Sequence, residues 1–376
     1  MSGEQVTSAA GAVPRVHAQE VLLVIAPSWV GDLVMATPAL RATREAFPSR
    51  RIVALARPGV EELLAASGCV DEVVIDDLRG FIGPWRAGRA ARHAGVHAGV
   101  HTGVHAGVHT GVHAGGAHAP IETCLLLPNS FRSALAARFS GSPTRIGYRT
   151  DGRSWLLTRA LAPPGGRGRP RHPISMVDWY AELVEKAFDL RIEDRTPRLT
   201  PTAAQESAAE RLTADVPGAF AVLNPGANRT DKRWPANRFA QLGQRLREGG
   251  LTVLVTGGPR ESELTRDVAH GAGGIDLVSR GVTLGALLAL LRRATLLVTN
   301  DTGPRHLAAA VGCPVVALFG PTDWRWTALE GVRERRLVAE PFLPAETMAD
   351  RHANACRMER IEVADVLAAC EALERR

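Results

Sequence analysis

The fold is decided by residues 296–319, LLVTNDTGPRHLAAAVGCPVVALF. Residues 296–299 form a short apolar run, which predicts a buried strand, and residues 304–311 predict a helix that ends at Gly312. A second apolar run follows over 315–319. Because a strand, a helix and another strand in close succession form a parallel βαβ unit, this stretch predicts a doubly wound α/β sheet.

The same alternation continues toward both ends of the chain. Further strands are predicted over 21–26, 51–56, 73–75, 123–127, 220–223, 251–256 and 275–278. Helices are predicted over 33–47, 174–190, 235–247, 259–270 and 284–293. Two sets of this kind predict an α/β protein with two Rossmann-like doubly wound domains.

The division of the chain follows these two sets of strands and helices. Residues 1–18 are expected to be a disordered tail, 19–200 the N-terminal domain and 201–350 the C-terminal domain. The composition of residues 191–201 predicts a linker. Residues 351–376 predict a C-terminal helix, and one hypothesis is that this helix packs back on the N-terminal domain.

Composition excludes several classes of protein. The five cysteines are scattered without a CxxC pair, which argues against a disulfide framework, against a structural zinc site and for a cytoplasmic location. No apolar run is long enough to cross a bilayer, and the N-terminus lacks the pattern of a signal peptide. The net charge of +6 predicts acidic partners without identifying them.

Two basic segments stand out in the first half of the chain. Residues 93–118 carry a repeat with histidine at every fourth position, which is typical either of a weak metal-binding tract or of a low-complexity loop insertion, and the insertion is favoured. Nine arginines lie between residues 132 and 171, which favours a polyanionic acceptor over a solvated basic face. Nucleic acid is not indicated, because no motif for it is present.

Five motifs fall where predicted strands end, namely SWVGD, PGANRTDK, TGGPRE, NDTG and GPTD. Ligands of doubly wound sheets bind at that edge. In PGANRTDK, backbone N–H groups, Asn228 and Lys232 are suited to a diphosphate, although an ordinary loop with a solvated lysine fits equally well. Lys232 is one of only two lysines among 45 basic residues, which is consistent with a need for a compact cation.

The two aspartates that precede predicted helices have competing interpretations. Asp301 could face a ligand at the helix N-terminus together with Thr302, Gly303 and His306, or it could simply cap the helix. Asp32 could be a helix N-cap or a general base that takes a proton from an acceptor hydroxyl. A single DTG in an α/β context argues against an aspartic protease.

At this point the motifs resemble a known family. VLLVIAPSWVGDLVMATPALRA, the PGA…DKRWP segment and TNDTGPRHLAAAVGCPVVALFGPTD are similar to the ADP-heptose:lipopolysaccharide heptosyltransferases, glycosyltransferase family 9, and the PSWVGD opening is most like heptosyltransferase II. The resemblance implies a GT-B fold, with two Rossmann-like domains facing a central cleft, and an inverting transfer of heptose from ADP-heptose to the lipopolysaccharide inner core.

The resemblance also implies roles for individual residues. Asp32 matches the family's proposed base, Lys232 the lysine on the donor phosphates, and Glu261 the glutamate on the ribose hydroxyls. The donor-site DTGxxH corresponds to Asp301, Thr302, Gly303 and His306, while Asn228 stands where relatives often carry threonine. No metal or other cofactor is required by this resemblance, and peripheral contact with the inner membrane surface is expected.

Three alternatives remain open from the sequence. A related transferase with another nucleotide sugar would share the motifs, and a GT-B-like sugar-nucleotide epimerase would share the architecture. A metal-storage protein built around the histidine repeat is the third.

Overall fold

The computed structural model describes residues 20–77, 83–96, 120–165, 173–339 and 356–374. Two six-stranded sheets are present, and every strand pair in them is parallel. The first has the strand order β3-β2-β1-β4-β5-β6 and the second the order β12-β11-β10-β7-β8-β9. Counted within its own domain, each sheet has the 3-2-1-4-5-6 order of a Rossmann fold, which confirms the predicted α/β class.

The N-terminal sheet is formed by β1 (Val21–Ile25), β2 (Arg51–Ala56), β3 (Glu72–Ile75), β4 (Ile121–Leu126), β5 (Thr144–Tyr148) and β6 (Arg159–Leu161). Its helices are α1 (Val30–Met35), α2 (Thr37–Ala46), α3 (Glu61–Ser67), α4 (Gly83–Val96), α5 (Phe131–Phe139) and α6 (Met176–Phe188). Helices α4 and α5 pack on one face of the sheet, and α1, α2, α3 and α6 lie on the other.

The C-terminal sheet is formed by β7 (Phe220–Asn224), β8 (Thr252–Val255), β9 (Ile275–Asp276), β10 (Leu296–Asn300), β11 (Val315–Phe319) and β12 (Glu334–Val338). Its helices are α7 (Ala203–Leu212), α8 (Ala236–Glu248), α9 (Ser262–Ala272), α10 (Leu284–Arg293), α11 (Gly303–Ala310) and α12 (Val363–Glu374). Helices α8, α9 and α12 cover one face, and α7, α10 and α11 cover the face toward the first domain.

The helix predicted over 33–47 is in fact two helices. Helix α1 begins earlier, at Val30, and α2 begins at Thr37 with Pro38 in its first turn. Proline lacks an N–H group and its ring clashes with the carbonyl four residues before it, so a continuous helix through Pro38 is disfavoured. The hydroxyl of Thr37 donates instead to the carbonyl of Val34, at 2.7 Å.

The suggestion that the C-terminal helix packs back on the N-terminal domain is wrong. Helix α12 packs on α8, β11 and β12, all in the C-terminal domain. Its apolar side chains, such as Val366, join the cluster around Trp234, whose indole N–H donates to the Ile361 carbonyl at 2.9 Å. Burial of that apolar surface on the nearest uncovered sheet face accounts for the placement.

The segment between the two domains has no regular structure from residue 189 to 202. It is nevertheless fixed on both sides, because the N–H of Leu199 donates to Ala310 of α11 and the N–H of Thr200 donates to Ala66 of α3. The predicted linker is therefore hydrogen-bonded to elements of both domains.

The histidine repeat is for the most part outside the described residues. Helix α4 runs to Val96 and so includes the backbone of the first repeat unit, although the glycine of each unit argues against a helix. Residues 97–119 are not described, and neither interpretation of the tract is tested.

Candidate active site

The carboxylate of Asp301 lies at the carboxyl end of β10 and contacts residues from two other loops and from the helix α11. Its Oδ2 is 3.4 Å from Nζ of Lys232 and accepts the hydroxyl of Thr322 at 3.1 Å. Its Oδ1 accepts the hydroxyl of Thr327 at 3.4 Å and lies 3.6 Å from the guanidinium of Arg305. The structure therefore brings together two of the predicted site residues, Asp301 and Lys232.

Asp301 remains charged although its side chain is almost fully buried. Burial acts to raise its pKa, but the guanidinium of Arg305 and then the ammonium of Lys232 hold that pKa below the usual range. Arg305 is itself wholly buried and fixed by Glu334, with Nε–Oε2 at 2.8 Å and a second nitrogen–oxygen contact of 3.1 Å. A fixed negative charge thus holds Lys232 in place.

Helix α11 begins at the DTG motif without a side-chain cap. Thr302 is its N-cap residue and makes no capping hydrogen bond, so the capping role considered for Asp301 is wrong. The hydroxyl of Thr302 faces inward instead, where it accepts the amide of Asn224 at 3.0 Å and lies 3.2 Å from the hydroxyl of Thr299. The first N–H groups of α11 are consequently left without a side-chain cap.

The turn after β7 is held by an asparagine of the neighbouring strand. The amide nitrogen of Asn300 donates to the carbonyls of Pro225 and Gly226, at 2.9 and 3.2 Å, and its oxygen accepts the N–H of Trp234 at 3.0 Å. These bonds fix the loop that carries Lys232. Asn228, at the tip of that loop, is exposed.

Glu261 lies against the same turn. Its Oε2 accepts the N–H of Gly258 at 2.8 Å, and its Oε1 is 3.4 Å from the guanidinium of Arg233. A methyl group added to Gly226 would lie 2.1 Å from Oε2 of Glu261, so any larger residue there would displace the Glu261 carboxylate. The Glu261 carboxylate therefore belongs to the edge of the site formed by the PGANRTDK loop.

In the N-terminal domain, Asp32 lies in the first turn of α1. The N-cap residue is Trp29 and it makes no side-chain capping bond, so the N-cap interpretation of Asp32 is wrong. Its Oδ1 accepts the hydroxyl of Tyr180, on α6, at 3.2 Å. Burial raises the pKa of Asp32, against a smaller lowering by the Tyr180 hydroxyl. A carboxylate with a raised pKa is a better proton acceptor, which suits a general base.

The first turn of α1, which carries Asp32, packs against the DTGxxH helix of the other domain. A methyl group on Gly31 would lie 2.8 Å from Cδ2 of His306, and one on Gly303 would lie 2.9 Å from Cβ of Val30. Burial, with a contribution from Arg305, lowers the pKa of His306 to about 3, so its imidazole is neutral. Among the residues that the structure describes, its buried Nδ1 has no hydrogen-bond partner. His306 thus packs at the domain interface.

Among the predicted arginines, several serve the fold itself. Arg153 is fully buried and donates to the carbonyls of Pro128, Ser130 and Tyr148, which fixes the loop after β4. Arg159 donates to the carbonyl of Ala187 on α6, at 2.8 Å. Residues 166–172, with three more of the predicted arginines, lie outside the described residues.

Sequence reasoning missed the residues that hold the site together. Tyr180 and Thr327 come from elements far in sequence from the aspartates that they contact, and no local pattern marks them. Arg305 had a signal, since it lies within the DTGxxH motif, four residues after Asp301. Thr322 had a signal, since it lies in GPTD, one of the motifs assigned to the carboxyl edge. Within the described ranges, no group of three or more histidine, cysteine, aspartate or glutamate side chains is arranged to hold a metal ion.

None of the helices in the described part of the chain is both long and apolar enough to cross a bilayer.

The chain is similar to known proteins both in sequence and in structure. The family model described as glycosyltransferase family 9 (heptosyltransferase) matches residues 120–352. The chain is 26% identical to lipopolysaccharide heptosyltransferase 2 of Escherichia coli K12, over 80% of this chain and 83% of that protein. It is also 26% identical to lipooligosaccharide heptosyltransferase 2 of Haemophilus ducreyi, over 81% of this chain and 85% of the relative.

Solved structures share the two-domain architecture. The E. coli ADP-heptose lps heptosyltransferase II has a TM-score of 0.72 at 22% identity, covering 94% of this chain and 98% of that one. A glycosyltransferase of family 9 from Veillonella parvula has a TM-score of 0.76 at 19% identity, covering 95% and 97%. These likenesses confirm the GT-B fold.

Proposed function

The chain belongs to glycosyltransferase family 9, and from that premise we propose that it moves heptose from ADP-heptose to the inner core of lipopolysaccharide, with inversion at the anomeric carbon. The observation that carries the proposal is the contact between the first turn of α1, which holds Asp32, and the DTGxxH helix α11; it brings a candidate base next to a candidate donor site. A related transferase with another nucleotide sugar is not favoured, because the relatives at 26% identity are named as heptosyltransferases.

In the proposed reaction Asp32 accepts the proton of an acceptor hydroxyl through the oxygen that Tyr180 leaves free. The acceptor oxygen then bonds to the anomeric carbon while the bond from that carbon to the diphosphate oxygen breaks. The leaving ADP gains a negative charge, which Lys232 and the uncapped N–H groups of α11 would stabilise. Lys232 has three N–H donors, so it can contact a phosphate while it keeps Asp301.

We assign the remaining donor contacts by the same proposal. Glu261 would accept the ribose hydroxyls, and the exposed Asn228 would donate to a phosphate oxygen. Asp301 and Thr302 already form hydrogen bonds with protein groups, so we expect them to shape the donor site rather than to bond to the donor. Asp301 would also supply the negative charge beside Lys232. Gly303 allows close approach at the helix N-terminus, and His306 supports the helix from the interface.

The test is incubation with ADP-heptose and a set of truncated lipopolysaccharides, with products read by mass. A gain of one heptose on a defined acceptor supports the proposal. Parallel incubations with other nucleotide sugars separate a different donor, and ADP-heptose alone separates an epimerase. The proposal includes no metal cofactor, so transfer that is lost with a chelator and restored by a divalent cation contradicts that part. Deleting residues 97–116 should leave transfer unchanged.

We further propose peripheral contact with an anionic membrane surface, through the N-terminal domain. Four exposed aromatic residues, Trp29, Trp85, Phe131 and Trp155, follow β1, β3, β4 and β5, and so lie at the carboxyl edge of that sheet. The guanidinium of Arg89 lies 4.9 Å from the Trp85 ring centroid. Tryptophan beside arginine is suited to the interface of an anionic bilayer. The cytoplasmic location expected from the sequence stays a prediction.

Sedimentation with vesicles tests this contact. Trp155→Ala should lose binding to vesicles that contain anionic phospholipid, while Phe139→Ala, an exposed aromatic at the far end of α5, should bind like the unmodified protein. Equal binding by both variants, or equal binding to purely zwitterionic vesicles, contradicts the proposed surface.

A further inference from the structure

The hydroxyl of Tyr180 makes the one side-chain hydrogen bond recorded for Asp32 in the described residues. Tyr180 is 3% exposed and lies in the middle of α6, whose packing against α1 fixes the ring relative to the carboxylate. Burial, together with the neighbouring Asp32 charge, raises its pKa well above the usual value, so the phenol keeps its proton and donates it. The 3.2 Å bond engages Oδ1 and leaves Oδ2 available.

We propose that Tyr180 is a positioning residue for Asp32: it orients the carboxylate so that one oxygen faces the acceptor hydroxyl, and it keeps that carboxylate ionised at the working pH. This inference rests on the proposed function, in which Asp32 is the base. Without Tyr180, burial would raise the pKa of Asp32 further, because the hydrogen bond that lowers this pKa would be absent.

The other charged groups on the helices packed against α1 do not compete for this role. On α11, His306 stays neutral because its pKa is about 3, and Arg305 is held by Glu334. Most of the remaining groups on α2 and α6 have partners of opposite charge: Arg41 with Asp194, Arg44 with Asp71, Asp178 and Glu185 with Arg195, and Glu182 with Lys186. Glu45, on α2, lies beside Cys69, where its charge adds to burial in raising the pKa of the thiol. The acid limb of a pH–rate profile should therefore report Asp32.

The chain offers a matched control, because it contains only two tyrosines. The hydroxyl of Tyr148 is also buried and donates to the Trp179 carbonyl at 3.0 Å, but not to Asp32. Each phenylalanine variant thus removes one buried hydroxyl and one hydrogen bond. Only Tyr180→Phe should change the pH dependence of transfer.

The expected result follows from the loss of one hydrogen bond to a charged group. In Tyr180→Phe the acid limb of kcat/KM should move up by about one pH unit, and plateau kcat should fall about tenfold while KM for ADP-heptose is unchanged. In the Tyr148→Phe background, replacing the remaining tyrosine by 3,5-difluorotyrosine gives a stronger donor. The acid limb should then move the opposite way, to lower pH.

A second measurement does not depend on turnover. The difference in unfolding free energy between each Tyr180 form and its Asp32→Asn counterpart, followed across pH, reports the pKa of Asp32 through proton linkage. Unchanged acid limbs and unchanged linkage curves in Tyr180→Phe overturn the inference, as does an equal shift in Tyr148→Phe. If the unmodified protein transfers no heptose, the proposed function fails, while the linkage curves still decide whether Tyr180 controls Asp32.

Discussion

Replacing Lys232 by alanine tests the candidate donor site most directly. The ammonium lies 3.4 Å from Asp301, and the side chains of the pair are 16% and 9% exposed. Breaking a buried pair commonly costs 3–5 kcal/mol because a charge is left unpaired. Here Asp301 would keep Arg305 at 3.6 Å and the hydroxyls of Thr322 and Thr327. We therefore expect a loss of only about 1–2 kcal/mol in unfolding free energy.

The effect on the donor should be larger. A charge-assisted hydrogen bond to a diphosphate contributes about 1.5–3 kcal/mol, which corresponds to a loss of about 10- to 150-fold in affinity. Lys232→Ala should therefore weaken ADP binding by that factor and lower Tm by about 1–3 °C. Because the interaction is electrostatic, the difference from the unmodified protein should shrink as salt is added.

Isothermal titration calorimetry with ADP measures the affinity, and the chain supplies its own control. Lys186 is the other lysine, exposed on α6 and paired with Glu182 one turn away, so Lys186→Ala should leave ADP affinity unchanged. If Lys232→Ala binds ADP as tightly as the unmodified protein, Lys232 does not contact the diphosphate and the donor site is wrongly assigned. If Lys186→Ala weakens binding equally, the effect is one of net charge.

Further predictions concern the domain interface and pH. Asp32→Asn should lower kcat roughly 10²–10⁴-fold. Because burial raises the pKa of Asp32, its ionisation destabilises the folded protein, so the variant should be more stable than the unmodified protein at pH values above the folded pKa. The difference should vanish below the unfolded pKa of about 4, and denaturant midpoints measured at pH 3.5 and 8 test this. Gly31→Ala places a methyl group 2.8 Å from His306, so it should cost about 1–3 kcal/mol by thermal unfolding and reduce kcat/KM. Glu62→Ala removes the carboxylate that accepts the N–H of Gly285 at 2.6 Å across the domains, and should lower Tm by about 2–4 °C, whereas an unchanged Tm would mean that this contact contributes nothing.

Strands with a largely apolar run could be predicted from sequence almost to the residue. Apolar runs over 51–56 and 315–319 became β2 (Arg51–Ala56) and β11 (Val315–Phe319), because central parallel strands are buried on both faces. The strands β5 (Thr144–Tyr148), β6 (Arg159–Leu161) and β12 (Glu334–Val338) were missed, because polar residues leave them without an apolar run. Since β5 lies inside its sheet, whereas the predicted strands β3 and β9 are edge strands, apolar content rather than sheet position decided which strands the pattern revealed.

The candidate site was predictable only where it depends on strand ends. Lys232 and Asp301 meet because β7 and β10 are adjacent in the sheet and their carboxyl ends share an edge. The Tyr180–Asp32 contact spans 148 residues, and nothing in either local sequence specifies it. The hypothesis that each aspartate caps its helix was wrong, because each carboxylate instead accepts hydrogen bonds from residues far away in sequence.

The largest apolar cluster does not stop at the boundary between the domains. It includes Leu33 and Tyr180 on one side and Leu290 and Leu307 on the other, all buried, together with Leu199 from the connecting segment. Proteins with two separately packed lobes often melt in two steps. Here neither lobe can come apart without exposing part of the same interior to water, so calorimetry should record one concerted melting event for the whole molecule.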